Sequence, residues 1–353
     1  MATDGKRLDH YDLLRILATF SVMLLHVAAG GVVTSYNVNS YGWSVCNFYD
    51  SFVRCSVPLF VMLSGTFFLD NSKPLPWQKL AKKTFRLITA FVFWSACYAL
   101  VNTVRKYGFH INGHVIISFL GRFISGSYHM WFLFMIVGLY LVTPMLREIT
   151  KDRKLSWYFV ALWFVFWSCT SLVVKIPTYG KYFSSIFDNI GIHTVLGYSG
   201  YYVLGYLLST MEMDKRLKSV LYVVGPLSLI FTIIGTAMLS GYKGKLTEVL
   251  YSNSSPNVVL WSVAVFVFFK EEVSRLKLSD KCSRRVRYLS KLTFGMYLTH
   301  VFAIGLLNKV FHLNAGAFNP LFSVPIVSLL VFAISFVVAF VIDHIPGVCK
   351  YII

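Results

Sequence analysis

The feature that most limits what this chain can become is the recurrence of apolar runs close to twenty residues long. A helix of roughly 20 apolar residues crosses the hydrocarbon of a bilayer. Such runs occupy approximately residues 13–33, 45–69, 84–104, 129–146, 157–174, 195–209, 220–240, 257–269, 289–310 and 321–342. The sixth and eighth are the shortest. Residues 115–124 are apolar but too few to cross, and are expected to lie at the interface or dip inward. Charged residues make up only 14% of the 353, about half the share of an ordinary soluble domain. The expected fold class is an all-α integral membrane protein, a bundle of about ten transmembrane helices. Residues 1–353 then form a single transmembrane domain with no soluble extracytoplasmic domain.

The net charge of +18 would suggest a nucleic-acid partner in a soluble protein. In a membrane protein it reads as loop charge facing anionic lipid headgroups, and no basic segment carries the interleaved aromatics that single-strand binding needs. No nucleic-acid partner is expected; the bilayer is. With ten crossings, one alternate set of connecting segments holds 23 lysines and arginines, from Lys6 and Arg7 to Lys350, and the other holds 8. That bias predicts both termini on the cytoplasmic side of the cell (inner) membrane. Lys6, Arg7, the first apolar run and Ala28-Ala29-Gly30-Gly31 also resemble a cleavable secretory signal. Arg15 and Thr19 interrupt its core, which favours a retained helix. Cys46, Cys55, Cys97 and Cys169 fall inside apolar runs with no C-x-x-C pair and read as small buried hydrophobes. Cys46, near a span's outer end, is also open to a role as a functional thiol. No internal repeat is visible, which weakens the case for an inverted-repeat transporter.

Within the first run, Arg15 and His26 are eleven residues apart, about three helical turns, and so share one face roughly 16 Å apart along the axis. Arg15 is expected near the cytoplasmic surface. It either snorkels there or clamps an anion, since guanidinium matches phosphate oxygens bidentately. His26 is expected near mid-membrane, where an ionisable group is costly. A neutral imidazole there suits a general base, unless it is a hydrogen-bonded structural residue.

The second run carries Arg54 and then Val57-Pro58-Leu59-Phe60-Val61-Met62-Leu63-Ser64-Gly65. Pro58 is expected to kink the helix, and Gly65 to admit a ligand or a neighbouring backbone. Arg54 enters from the outer side, as an interfacial anchor or a site residue. His129-Met130-Trp131-Phe132-Leu133 opens the fourth run, either as an interfacial aromatic belt or as part of a site. In the ninth, Thr293, Tyr297 and His300 fall at i, i+4 and i+7, one polar stripe that is either interhelical glue or functional. Asp12, Asp188 and Asp343 lie at span ends. No carboxylate pair, G-x-S-x-G, H-E-x-x-H or phosphate-binding glycine loop occurs, so metal hydrolysis and ATP chemistry lack support, and no metal is expected.

Arg15–x10–His26, the Val57–Gly65 segment, His129-Met130-Trp131-Phe132-Leu133 and Phe294-Gly295-Met296-Tyr297-Leu298-Thr299-His300 together resemble the membrane acyltransferase-3 family, in order and over essentially the whole chain. The resemblance implies transfer of an acyl group, usually acetyl from acetyl-CoA, to a hydroxyl of a cell-surface or lipid-linked glycan. It associates Arg15 with the CoA donor and His26 with catalysis. The fourth-run motif looks like the branch that includes O-acetyltransferases of common antigen. It is unlike the branch with a glutamate-bearing motif and a fused esterase-like domain.

On this reading Arg147, Arg284, Arg285 and Arg287 are further candidates for holding CoA phosphates, although they also serve as topology charges. His300, Tyr297 or Arg54 would stabilise the developing oxyanion, and His129, Trp131 and Ser64 would contact the acceptor. Direct transfer and an acetyl-histidine intermediate both remain open, as does succinyl in place of acetyl. The rival class is an exporter of a small polar solute or glycan, which ten spans and buried cations would also suit.

Overall fold

The computed structural model describes residues 9–109, 112–176, 180, 184, 196–347 and 349–353. Lys6, Arg7, Lys181, Asp188 and Val195 lie outside the described residues.

Helices start where the chain supplies a side-chain oxygen to cap exposed N–H groups. Ser40 accepts from Trp43 N at the head of α2 (Tyr41–Val53), and Asn112 from Val115 N at the head of α5 (Gly113–Ser125). Asp152 caps α7 (Arg153–Trp163), Asp214 caps α9 (Lys215–Lys243) and Ser279 caps α11 (Asp280–Val310). Pro256 and Pro320 open α10 (Pro256–Glu271) and α12 (Pro320–Asp343), where a missing N–H costs nothing. The remaining long helices are α1 (Asp9–Gly30), α3 (Ser56–Phe68), α4 (Trp77–Tyr107), α6 (Trp131–Ile149) and α8 (Ser199–Thr210). No strand occurs among the described residues.

Nine helical stretches among the described residues are long and apolar enough to cross a membrane. Ten were expected. The sixth apolar run appears as α8, only 12 residues long and almost wholly buried, so packing against protein replaces the lipid contact a full span would make. Residues 113–125 form the separate helix α5, most of which is exposed. The second run is broken rather than bent. Pro58 has no N–H to give the Arg54 carbonyl, and the chain turns through Arg54 and Cys55 between α2 and α3.

Lipid-facing and buried surfaces divide as a bilayer requires. Phe85, Ile88, Val92 and Leu100 on α4, and Val223, Leu227, Ile230 and Ile234 on α9, are exposed, more apolar surface than a soluble protein tolerates. The inner face of α9 instead buries Ser228, Thr232, Thr236 and Ser240. The Thr232 hydroxyl accepts from Asn257 Nδ2 at 2.8 Å, an interhelical bond of the kind that replaces hydrophobic drive in lipid.

The helix α1 lies at the centre and packs against α2, α3, α10, α11 and α12. Helices α1, α4 and α11 run in one direction: Asp12 meets Ser290, and Tyr98 Oη meets the Leu298 carbonyl at 2.9 Å. Helices α3 and α6 run the other way, Phe68 packing on Tyr140 with ring centroids 4.4 Å apart. The tightest crossing is between α3 and α8. There Gly65 faces the Tyr202 carbonyl and Gly205 faces the Met62 carbonyl, each so near that a Cβ would sit 1.8 Å and 2.2 Å from the oxygen. Connecting segments rich in lysine and arginine meet at the Arg15 end of the bundle. Arg147 there donates to the carbonyls of Phe68 and Lys73, Arg287 pairs with Asp9, and Lys291 pairs with Asp343.

Candidate active site

Arg15 and His26 border one cavity of about 730 Å³, walled by α1, α3, α4, α6 and α11. At its near end Arg15 Nη1 donates to Asp12 Oδ1 at 3.2 Å and to Ser290 Oγ at 3.1 Å, and the Ser290 hydroxyl donates to Asp12 at 2.5 Å. This bracing holds the guanidinium 5.7 Å from the centre of the Phe67 ring. Lys79, Lys83 and Arg86, at i, i+4 and i+7 on α4, bring three more cations to the same end, joined by Lys73 and Lys291. Lys83 Nζ lies 4.4 Å over Phe68, and the Arg86 guanidinium lies 5.6 Å over Phe294. Arg86 also donates through Nε to the Ile353 main-chain oxygen at 2.9 Å. Lys73 has Asp70 at 3.3 Å and Lys291 has Asp343 at 2.7 Å. Among the described residues no carboxylate forms an ion pair with Lys79 or Lys83. One end of the cavity therefore carries a cationic excess.

The middle is apolar, lined by Val22, Val57, Phe60, Leu87, Phe132 and Ile136. At the far end stand His26, His129, Trp131 and Tyr297. Gly126, at a positive φ of +71°, ends α5, and a short 3₁₀ turn over Tyr128–Met130 then sets His129 at the head of α6. The Tyr297 hydroxyl donates to the His129 carbonyl and ties α6 to α11. His26 stacks on His300 with centroids 5.1 Å apart and meets Tyr128 edge-on at 5.2 Å; His129 meets His300 edge-on at 5.0 Å. Three imidazoles thus gather from α1, the α6 head and α11.

His300 is fully buried, and its Nδ1 bonds the Tyr297 carbonyl. A carbonyl only accepts, so the proton is on Nδ1 and the lone pair on Nε2. His129, 2% exposed, has no protein partner in hydrogen-bonding geometry on either ring nitrogen among the described residues.

The structure therefore brings Arg15, His26, Ser64, His129, Trp131 and Tyr297 onto one cavity, with His300 directly behind His26. Ser64 spends its hydroxyl proton on the Phe60 carbonyl at 2.9 Å. The other candidates lie elsewhere. Arg54 bonds Asp50 at 2.7 Å and covers the Tyr251 ring at 4.0 Å, away from the cavity lining. Arg147 is bound to two backbone carbonyls at 2.8 Å each, Arg287 pairs with Asp9 at 3.1 Å, and Arg284 and Arg285 point to the surface. None of the four borders the cavity. Lys79, Lys83 and Arg86, which sequence reasoning counted only as loop charge, do. Their i, i+4, i+7 spacing was the signal that would have separated them from the rest.

The cavity can hold an elongated ligand with an anionic head, an apolar-compatible middle and a reactive tail among imidazoles. The family profile described as acyltransferase domain, acyltransferase-3, matches residues 8–343. No curated protein and no solved structure matches the chain.

Proposed function

The chain belongs to the acyltransferase-3 family of membrane acyltransferases, and on that premise we propose that it moves an acyl group from acyl-CoA to a glycan hydroxyl. Acetyl is the favoured acyl group, and the acceptor is a sugar at the cell surface or linked to lipid. One observation carries the reading: a single cavity runs from the cationic cluster of Arg15, Lys79, Lys83 and Arg86 to His26. CoA has the matching form, with phosphates at one end and a thioester at the end of a long, flexible arm. Guanidinium and ammonium groups would hold the phosphates, and the arm would follow the apolar middle.

At the far end His26 acts as general base. It takes the proton of the acceptor hydroxyl as that oxygen attacks the thioester carbon, then returns it to the leaving thiolate. Such catalysis is typically worth about 10²–10⁴-fold. With the basic loops cytoplasmic by the positive-inside bias, the cationic end faces the compartment that holds CoA.

The test is transfer of labelled acetyl from acetyl-CoA to glycan by purified protein in lipid nanodiscs, with mass spectrometry of the product. His26→Ala retaining full transfer would remove His26 from the chemistry. Thermal stabilisation by a free sugar or amino acid, with none by CoA or acetyl-CoA, would instead favour the exporter reading.

A further inference from the structure

Acyl transfer from a thioester builds negative charge on the carbonyl oxygen, and that charge needs a donor already in place. Most of the polar groups around His26 are engaged elsewhere. The Tyr297 hydroxyl gives its proton to the His129 carbonyl. His300 Nδ1 is held by the Tyr297 carbonyl, which leaves Nε2 able only to accept. Arg54 pairs with Asp50 through Nη2; its buried Nε has no hydrogen-bond partner among the described residues, but the residue lies outside the cavity lining.

His129 combines burial, an unengaged ring and a place on the cavity wall. It lines the cavity, it is 2% exposed, and neither ring nitrogen has a protein partner in hydrogen-bonding geometry among the described residues. The Leu298 carbonyl, which accepts from the Tyr98 hydroxyl at 2.9 Å, approaches the ring without reaching hydrogen-bonding geometry. A neutral imidazole always carries one N–H, and burying that donor unpaired is costly. Edge-on contacts with Tyr98 (5.1 Å), Tyr297 (5.7 Å) and His300 (5.0 Å) fix the ring on several sides. The ring also precedes the first turn of α6, a helix of 19 residues whose N-terminal dipole favours negative charge there. A rigid, buried N–H on a ring that lines a cavity near the positive end of a helix dipole is suited to an oxyanion.

We propose that His129 is a catalytic residue, the hydrogen-bond donor to the thioester carbonyl oxygen as the tetrahedral intermediate forms; this rests on the acyl-CoA reading of the cavity. The acceptor oxygen bonds to the carbonyl carbon and its proton passes to His26. The carbonyl electron pair moves onto oxygen, where the His129 N–H holds it. Collapse re-forms the carbonyl and breaks the C–S bond, and the thiolate takes the proton from His26. Ester and CoA thiol are the products, and both imidazoles return to their starting state.

The test compares His129→Phe, which keeps a ring but removes the donor, with His129→Gln, which keeps an N–H. Removing one oxyanion donor costs about 10²–10³-fold in kcat. His129→Phe is expected to lose kcat on that scale with unchanged KM for acyl-CoA and an unchanged shape of the pH–rate profile. His129→Gln is expected to recover at least about tenfold over Phe, the outcome that a donor role requires and a packing role does not. If His129→Phe fails to fold, shown by loss of a cooperative thermal transition, His129→Leu takes its place in the comparison with His129→Gln. A Phe variant with kcat within about threefold of the parent overturns the proposal, as does a Gln variant no faster than Phe. Loss of a limb of the pH profile overturns it in favour of a base. A parent protein that transfers no acyl group from any acyl-CoA overturns the functional reading itself, separately from these comparisons.

Discussion

Replacing Gly65 with alanine adds one methyl group at the α3–α8 crossing. That Cβ would stand 1.8 Å from the Tyr202 carbonyl oxygen and 2.6 Å from its carbon, where ordinary contact begins at 3.4 Å. The helices must part by about 1.6 Å, and both partners are backbone, so no rotamer change relieves the clash. Separation also weakens the reciprocal contact of Gly205 with Met62 and the Thr66 hydroxyl bond to the Gly205 carbonyl at 3.2 Å. Overpacking of this kind costs about 1–3 kcal/mol. Because α3 carries Val57, Phe60 and Ser64 on the cavity wall, acyl transfer should fall with stability.

The assay is thermal unfolding of the purified protein in one detergent, alongside Gly138→Ala. Gly138 is exposed on α6 and a Cβ there meets nothing within 4 Å, so alanine should be neutral or stabilising by up to about 1 kcal/mol. A Gly65→Ala protein that melts with the parent and with Gly138→Ala would refute the close crossing and the reasoning built on it.

The double change Lys79→Ala with Lys83→Ala should weaken acetyl-CoA binding and flatten its salt dependence, read by calorimetry at two ionic strengths; unchanged affinity would separate the α4 cations from the donor. Arg15→Ala should likewise lose donor affinity, and intact binding would dismiss the clamp. Arg147→Ala should lower the melting temperature while leaving donor affinity alone, because it strands the part-buried Phe68 carbonyl at a cost of about 1–3 kcal/mol. Donor affinity falling with stability unchanged would reverse that assignment. Burial raises the pKa of the Asp70 carboxyl, but bonds from Ser72 and the neighbouring Lys73 outweigh it and hold the group below its ordinary value. Its stabilising effect is therefore present near neutral pH and is lost as pH falls through that lowered value, so Asp70→Ala should cost least in acid. A loss of stability independent of pH would contradict this.

What the chain discloses unaided is whatever depends on one helix at a time. Arg15 and His26 share a face because eleven residues make three turns, and the Thr293–Tyr297–His300 stripe follows from the same period. Pro58 announced a distortion, and its missing N–H accounts for the break at Arg54. Gly65 announced a close approach without saying to what; the Tyr202 backbone answers.

What depends on neighbours stayed hidden. Arg147 and Lys83 are both basic residues near a helix end. Only assembly turns one toward two carbonyls and the other toward the cavity. The short α8 could not be judged from its own length, since its burial depends on α3, α6 and α7 around it.

The central position of α1 has a consequence for biogenesis. It is made before the other described helices, yet Arg15 meets Ser290 275 residues later in the chain, and the ring of His26 meets that of His300. Until α11 arrives, a cation and an imidazole must wait in lipid without these partners, which is costly. The early helix has to be sheltered by the insertion machinery or remain shallow in the bilayer. Closure of the cavity around His26 then waits for α11, and a chain truncated before α11 should be recognised as unfinished by membrane quality control.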